Sequence, residues 1–294
     1  MPELPEVETV RRGLASRLPG QQIIAVSFDW PKGFPNAPSD VNSFLQGSKV
    51  LGVRRRAKVL IIDLDTDYSL IVHLKMTGQL VYVNPGDVDR FGAGHPNDSL
   101  VGALPDRSTR VTIDFDTGGT LYFNDQRKFG WMKLVPTIEI PNIDFFKKVG
   151  PEPLSSSFSA ADFRARVQRR QKSTVKATLL DQTVIAGVGN IYADESLWGA
   201  KIHPAVRVGD LSDAQLGDLY KELQFVLSLA IEKGGSTDKN YVDAEGKKGS
   251  YMDFARVFRR EGQACPRCQE TILKLRVASR GTHVCPVCQT PPKS

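Results

Sequence analysis

No cysteine occurs in the first 264 of the 294 residues, and all four stand within the last thirty. Disulfide-stapled secreted chains scatter their cysteines, so this clustering excludes a disulfide scaffold as the first expectation and favours metal in a reducing compartment. Long apolar runs are missing as well: none approaches the roughly 20 residues of a membrane span. The N-terminus carries no apolar signal-peptide core, and the chain is expected to stay in the cytoplasm. Histidine is scarce, at four. What remains, 40% apolar and 24% charged residues, fits a soluble globular protein long enough for two domains of ordinary size.

The charge is uneven. Net charge is +6, yet residues 247–294 hold ten Lys+Arg and three Asp+Glu, a net of +7, so the preceding 246 come to about −1. A basic C-terminal module on a near-neutral body is the footprint of a polyanion binder, with a solvated basic face as the alternative. Within that module stand Cys265-Pro-Arg-Cys268 and Cys285-Pro-Val-Cys288. Each CxxC forms a tight knuckle, and four thiolates close a tetrahedral, structural Zn²⁺ site with no position left for water. The spacer fits a β-hairpin through Leu273, Leu275 and Val277, with Arg280 in the loop returning to the second knuckle.

The chain opens Met1-Pro2-Glu3-Leu4-Pro5-Glu6. Removal of Met1 leaves Pro2 with a free secondary amine, a group able to attack a sugar C1′ and form an iminium. Such an amine titrates at roughly 7.7–8.0, so part of it is unprotonated at neutral pH. Val7, Val10, Leu14 and Leu18 recur at helical spacing, and Pro5 suits a first turn. An ordinary helix cap reads the same way from this stretch alone.

Short β-branched stretches follow at 23–28, 50–56, 59–65, 70–74, 80–83, 110–115, 120–123 and 130–135, with a short helix at 40–45. They predict a β-sandwich or barrel-like domain. Residues 84–109 are rich in Gly, Pro, Asn and Asp and read as one long loop. A Pro-rich linker at 137–152 separates a first domain, 1–136, from a helical domain, 153–250, and a zinc finger, 251–294. In the helical domain Ser159 caps 160–170, Ser173 caps 174–181, and Ser212 with Gln215 forms a capping box for a long helix ending at Gly234-Gly235. Residues 234–251 read as a flexible glycine- and lysine-rich loop. The expected class is α+β multidomain.

Three further stretches carry chemistry. Ile185-Ala-Gly187-Val-Gly189-Asn190-Ile191-Tyr192 leads a glycine turn into a helix, where backbone N–H groups and the Asn190 amide can hold a phosphate oxygen; a plain turn between helices is the alternative. Phe123-Asn124-Asp125-Gln126-Arg127-Lys128-Phe129-Gly130 ends a strand in a turn bearing cations and a ring, suited to insertion into a base stack or simply to capping a hairpin. Arg54-Arg55-Arg56-Ala57-Lys58 is a phosphate contact or a solvated edge.

Taken in order, these marks resemble the bacterial formamidopyrimidine-DNA glycosylases, bifunctional DNA glycosylase/AP lyases. The resemblance runs from Pro2-Glu3-Leu4-Pro5-Glu6-Val7-Glu8-Thr9 through Arg55-Arg56-Ala57-Lys58, His73-Leu74-Lys75-Met76-Thr77-Gly78, Gly150-Pro-Glu-Pro-Leu154 and Leu180-Asp181-Gln182 to the cysteines. It implies an N-terminal β-sandwich with an N-terminal helix, a helix–two-turn–helix domain and a β-hairpin zinc finger around one structural Zn²⁺. It implies damaged double-stranded DNA as partner, a monomer, and a bacterial cytoplasmic location. By the same resemblance Pro2 is nucleophile, Glu3 acid/base, Lys58 a DNA-binding and proton-transfer group, and Arg280 the grip on the lesion-flanking phosphate. Met76, Arg127 and Phe129 fill the void left by a flipped base. Asn190, Lys172 or Lys176, His73 and Arg110 are DNA contacts, and 235–251 covers the flipped purine.

Several positions depart from the family pattern. Lys75 stands for glycine, Gln126 for proline, Ser108 for a DNA-contacting histidine that Arg110 would replace, and Phe258-Arg259-Arg260 for Tyr-Gly-Arg. The function implied is excision of oxidised purines through a Pro2 Schiff base, then β,δ-elimination. The alternatives are an endonuclease VIII-like enzyme for oxidised pyrimidines and a non-enzymatic zinc-finger DNA-binding protein.

Overall fold

A computed structural model describes residues 2–85, 90–95, 97–236 and 250–292. It divides into two compact units: one formed from 1–147 with 233–250, the other from 148–232 with 251–294. Among the described residues no helix is long and apolar enough to cross a membrane.

The first unit begins with α1 (Leu4–Ala15). It continues through β1 (Ile23–Phe28), α2 (Pro38–Asp40) running into a π-helical turn at Val41–Leu45, β2 (Val50–Arg56), β3 (Val59–Leu64), β4 (Tyr68–His73), β5 (Gly78–Val83), β6 (Arg90–Gly94), β7 (Thr109–Phe115), β8 (Thr120–Asp125), β9 (Trp131–Pro136) and α3 (Asp144–Lys148). The strands form two antiparallel sheets, β1-β7-β8-β5-β6 and β2-β3-β4-β9. Alternate residues of both, such as Ile113, Leu121 and Phe123 from one and Leu60, Ile62 and Val72 from the other, meet in a single core with Val7, Val10 and Leu14 of α1. This is the expected sandwich. The run Val59-Leu60-Ile61-Ile62 does not alternate because β3 is buried on both faces: Val59 and Ile61 point away from the main core and are covered by Ile140, Ile143 and Phe145.

One expectation fails here. Residues 84–109 are not one loop, because 90–94 form β6, paired with β5 at Tyr82↔Phe91 and Leu80↔Ala93. The strand is short, with two glycines in five residues, so its alternation of Phe91 and Ala93 gave too weak a pattern to detect. It matters for α1: a Cβ on Gly13 would lie 2.0 Å from the Phe91 ring, so only glycine lets the helix lie on this strand.

The second unit contains α4 (Ala160–Gln168), α5 (Val175–Leu180), α6 (Asn190–Gly199), α7 (Asp213–Glu232), β10 (Leu273–Val277) and β11 (Arg280–Val284). Ser159 caps α4 as expected, and Ser212 and Gln215 exchange the bonds of a capping box before α7. The α5 cap is Thr174, not Ser173: the Thr174 hydroxyl accepts from the Ala177 N–H, while the Ser173 N–H is spent on Arg170. Leu216, Leu219, Leu223, Val226 and Ala230 of α7 pack with α5 and α6 in one core. Helix α7 stops at Gly234 and Gly235, both in left-handed backbone.

Candidate active site and zinc centre

Pro2 and Glu3 enter α1 buried, with Glu3 only 3% exposed. Glu3 is the N-cap residue, and its N–H donates to Glu6 Oε2 at 2.7 Å. The other oxygen of Glu6 accepts from the Ser236 N–H at 2.7 Å. A Cβ on Gly235, whose φ is +85°, would stand 3.0 Å from Glu6 Oε1, so this close approach needs glycine. The Pro2–Glu3 peptide is thus held at the positive end of a helix dipole by a carboxylate that is itself fixed. Met1 and residues 237–249, where the lid expectation falls, lie outside the described residues.

Lys58 sits in the tight turn joining β2 and β3, where Arg56 faces Val59 and Ala57 adopts a φ of +54°. It is 5% exposed. The neighbouring Val59 pairs with His73, whose buried ring lies near Trp131 and Phe145. Burial, with the positive charges of Lys75 and Lys58 adding to it, holds His73 down at about 3. Its Nδ1 accepts the Lys75 N–H at 3.0 Å, so His73 is a neutral internal acceptor and does not present itself to DNA. Lys75 takes a φ of +51°. The lysine-for-glycine departure therefore falls where the backbone is left-handed, a conformation that favours glycine. Arg259, the second cation expected as glycine, has a φ of +57°.

The turn after β8 presents Arg127 and Phe129 to solvent, with the guanidinium 4.7 Å from the ring centroid. Met76 is also exposed, on the turn between β4 and β5. The residue that ties these two turns together is Asp125, which sequence reasoning passed over as part of a polar turn. Its carboxylate accepts from the Thr77 hydroxyl, from the Arg127 N–H at 3.2 Å and from the Gly130 N–H at 2.7 Å. Arg110 is not a surface contact. It is buried, donating to the carbonyls of Asp125, Arg107 and Thr109. Ser108 is buried against Asp106 and projects no group outward.

In the second unit the chain between α5 and α6 is built on Gln182. Its amide donates to the Leu180 and Val188 carbonyls and accepts from the Gly187 N–H at 3.0 Å. The turn delivers Gly189 as N-cap of α6, with no side chain to cap the first helical turn. Such a terminus suits an anion. Asn190 begins the helix, and its Nδ2 donates to the Gly281 carbonyl at 2.9 Å. Arg280, next to that carbonyl, is exposed. It is not in a loop leading to the second knuckle. It is the first residue of β11, opposite Val277, across a turn whose Ala278 and Ser279 both have positive φ, the hairpin type that matches strand twist.

Of the two lysines expected on DNA, Lys172 is exposed and Lys176 is wholly buried. Lys176 Nζ contacts Asp194 at 2.6 Å and Thr282 Oγ1 at 2.7 Å, pinning the hairpin onto α5 and α6. Glu195, also buried, accepts from the N–H groups of Arg256, Val257 and Phe258 and fixes the segment leading to the finger. Neither acid was found from sequence, because their partners stand from 18 to 89 residues away.

The sulfurs of Cys265, Cys268, Cys285 and Cys288 all lie within 4.8 Å of one another. A tetrahedral ion with Zn–S of about 2.3 Å requires sulfurs about 3.8 Å apart, and the 3.4 Å and 4.0 Å pairs bracket that value. Disulfides need about 2.05 Å and are excluded. The Trp198 indole donates to Cys265 Sγ, and Arg267 stacks 3.9 Å from the Trp198 ring centroid while donating to the last carbonyls of α6. The site holds one structural zinc ion.

Comparisons with known proteins agree with this geometry. Residues 1–132 match the formamidopyrimidine-DNA glycosylase N-terminal domain, 149–241 the formamidopyrimidine-DNA glycosylase H2TH domain, and 262–291 the zinc finger found in FPG and IleRS. A formamidopyrimidine-DNA glycosylase of Herpetosiphon aurantiacus is 42% identical, covering 98% of this chain and all of the relative. One from Chloroflexus aurantiacus is 39% identical over 98% of both chains. Among solved structures, Lactococcus lactis Fpg in complex with DNA containing an abasic site superposes with a TM-score of 0.86 at 35% identity, covering 98% of this chain and all of the other. The same protein bound to N7-benzyl-Fapy-dG DNA gives 0.86 at 35% identity, covering 99% of this chain and all of that one.

Proposed function

Because this chain belongs to the formamidopyrimidine-DNA glycosylase family, we propose that its residues carry out base excision of oxidised purines in the following roles. The activity is that of a DNA glycosylase with AP lyase action. Removal of Met1 frees the Pro2 amine. The amine attacks C1′ of a nucleotide turned out of the duplex, the damaged base leaves, and an iminium joins enzyme to sugar. Glu3, buried beside it, protonates the opening sugar ring. The iminium makes the C2′ proton acidic, and its loss expels the 3′ phosphate. A second elimination, assisted by Arg280, expels the 5′ phosphate.

Lys58 contacts the DNA and relays protons during elimination. Asn190 and Arg280 grip backbone phosphate, with Lys172 as the outer contact. Met76, Arg127 and Phe129 occupy the stack left by the base. Turning a base out costs a few kcal/mol, which these side chains offset. The zinc ion shapes the finger and takes no part in the chemistry. The enzyme works as a cytoplasmic monomer on duplex DNA, with domains at 1–136, 153–250 and 251–294 joined by the linker 137–152.

The observation that carries this reading is the buried capping arrangement at α1, where Glu6 fixes the Glu3 N–H immediately beside Pro2. Borohydride trapping tests it. The wild type should link covalently to an 8-oxoguanine:C duplex, and Pro2→Gly and Glu3→Gln should not. Unchanged trapping in either variant sinks the assignment. Intact-mass measurement checks that Met1 is absent, and a preference for thymine glycol:A would move the enzyme to the pyrimidine class.

A further inference from the structure

Met76 and the Arg127–Phe129 pair belong to different turns, and both turns converge on one carboxylate. Asp125 closes β8 with no exposed surface. One of its oxygens takes the Thr77 hydroxyl and the Arg127 N–H, and the other takes the Gly130 N–H. The Thr77 hydroxyl also accepts from the Arg127 N–H at 3.1 Å. Each turn is therefore bonded to the carboxylate and to the other turn.

The backbone of Asp125 is equally fixed. Its N–H donates to Ser108 and its carbonyl accepts from Arg110 Nε at 3.0 Å. Gly78, next to Thr77, pairs with it across the β5–β8 ladder. Gly130 leaves no room for a side chain, since a Cβ there would stand 2.8 Å from Phe123 and 3.0 Å from Asp125 Oδ2. Lys128 completes the turn with a φ of +57°. A buried carboxylate saturated by neutral donors is a rigid anchor, since moving any donor strands the charge.

We propose that Asp125 and Thr77 are positioning residues that hold Met76, Arg127 and Phe129 as one pre-formed wedge, and that they thereby set how well the enzyme opens a base stack. Neither residue touches the reacting atoms. Their contribution is the ordering of exposed side chains before DNA arrives, which lowers the cost of inserting them. The inference rests on the function proposed above. It implies that weakening the anchor penalises work on stacked duplex far more than work on a single strand, where there is no stack to fill.

The test compares two substrates in single-turnover assays: an 8-oxoguanine:C duplex, and a single-stranded oligonucleotide carrying a preformed abasic site. Thr77→Val removes the hydroxyl while keeping the shape, and should lower the duplex-to-single-strand rate ratio on the order of tenfold or more. Thr77→Ser restores the hydroxyl and should restore the ratio. Asp125→Asn should lower it further, and if that variant does not fold the threonine pair decides alone. A ratio unchanged by Thr77→Val, or a loss that Thr77→Ser does not recover, overturns the proposal. Inactivity of the wild type on both substrates would instead overturn the function on which it rests.

Discussion

The Arg55 guanidinium donates to Glu8 Oε2 at 3.1 Å and, through a second nitrogen, to the Ala57 carbonyl at 2.8 Å. Glu8 lies on α1, which begins beside Pro2 and Glu3, and Ala57 precedes Lys58. One side chain thus links the helix carrying two proposed catalytic groups to the turn carrying a third. Both partners are largely buried, so the pair is shielded from solvent screening. Glu8 also takes Arg11 and Arg12.

A double-mutant cycle measures this link. Arg55→Met and Glu8→Gln should each destabilise the protein in urea, with a coupling energy of about 1–3 kcal/mol. Arg55→Met should also slow strand cleavage more than it slows formation of the trapped intermediate, because Lys58 moves while Pro2 stays on its helix. Additive stabilities, or equal slowing of both steps, would show that the pair does not set the spacing.

Acid sensitivity follows from His73. Its folded value is held at about 3 by burial and two nearby lysines, against an ordinary 6.5. The unfolded chain therefore binds a proton first. The stabilising contribution of the neutral ring is complete above pH 6.5 and is lost as pH falls from 6.5 toward 3, with a slope of up to about 1.4 kcal/mol per pH unit. Burial opposes the charge on Glu8, but Arg11, Arg55 and Arg12 outweigh it and hold its carboxyl below 4.5, so its own contribution disappears only at lower pH. His73→Gln should flatten the stability profile between pH 6.5 and 4.5. His203, which burial also lowers, adds to the remaining slope in that window. A wild-type slope retained by the variant would refute the assignment.

Lys75 occupies left-handed backbone at a φ of +51°, where an L side chain is strained. Lys75→Gly should raise stability by about 1 kcal/mol, since glycine carries no Cβ penalty there even though its unfolded chain is freer. The His73 acceptor is untouched because it uses the backbone N–H. Thermal melting would show the gain. A loss of stability would mean that the lysine side chain contributes more than the strain it imposes.

Removal of zinc should unravel the finger and, with it, the anchorage of Arg280. Trp198 reports on this directly, because its indole bonds Cys265 and stacks on Arg267. Chelation should change tryptophan fluorescence and abolish DNA binding, and added Zn²⁺ should restore both. Retention of DNA affinity in metal-free protein would separate the finger from the grip on phosphate.

Local signals were legible in the sequence and distant pairings were not. The bounds of β1 and β2 followed from β-branched runs, the Ser159 cap from its place before a helical stretch, and the Ser212 cap from its spacing to Gln215. The four zinc ligands followed from two CxxC pairs. Burial of a cation was beyond reach. Lys172 and Lys176 read alike as basic residues, and only Asp194 and Thr282, 18 and 106 residues further on, make the second one internal. Arg110 and His73 were expected on DNA for the same reason, since their carbonyl and N–H partners are backbone groups that no side-chain pattern displays. Asp125 escaped notice because an aspartate in a polar turn is unremarkable until its donors are seen.

Glu6 also accepts the N–H of Ser236, a partner 230 residues later in the chain. A ribosome makes the N-terminus first, so the amine of Pro2 can be exposed long before the group that steadies its neighbour has been synthesised. A nascent chain carries the proposed nucleophile but lacks the Ser236 contact until translation is about four-fifths complete. The zinc finger and Arg280 lie beyond that point in the chain and are made later still.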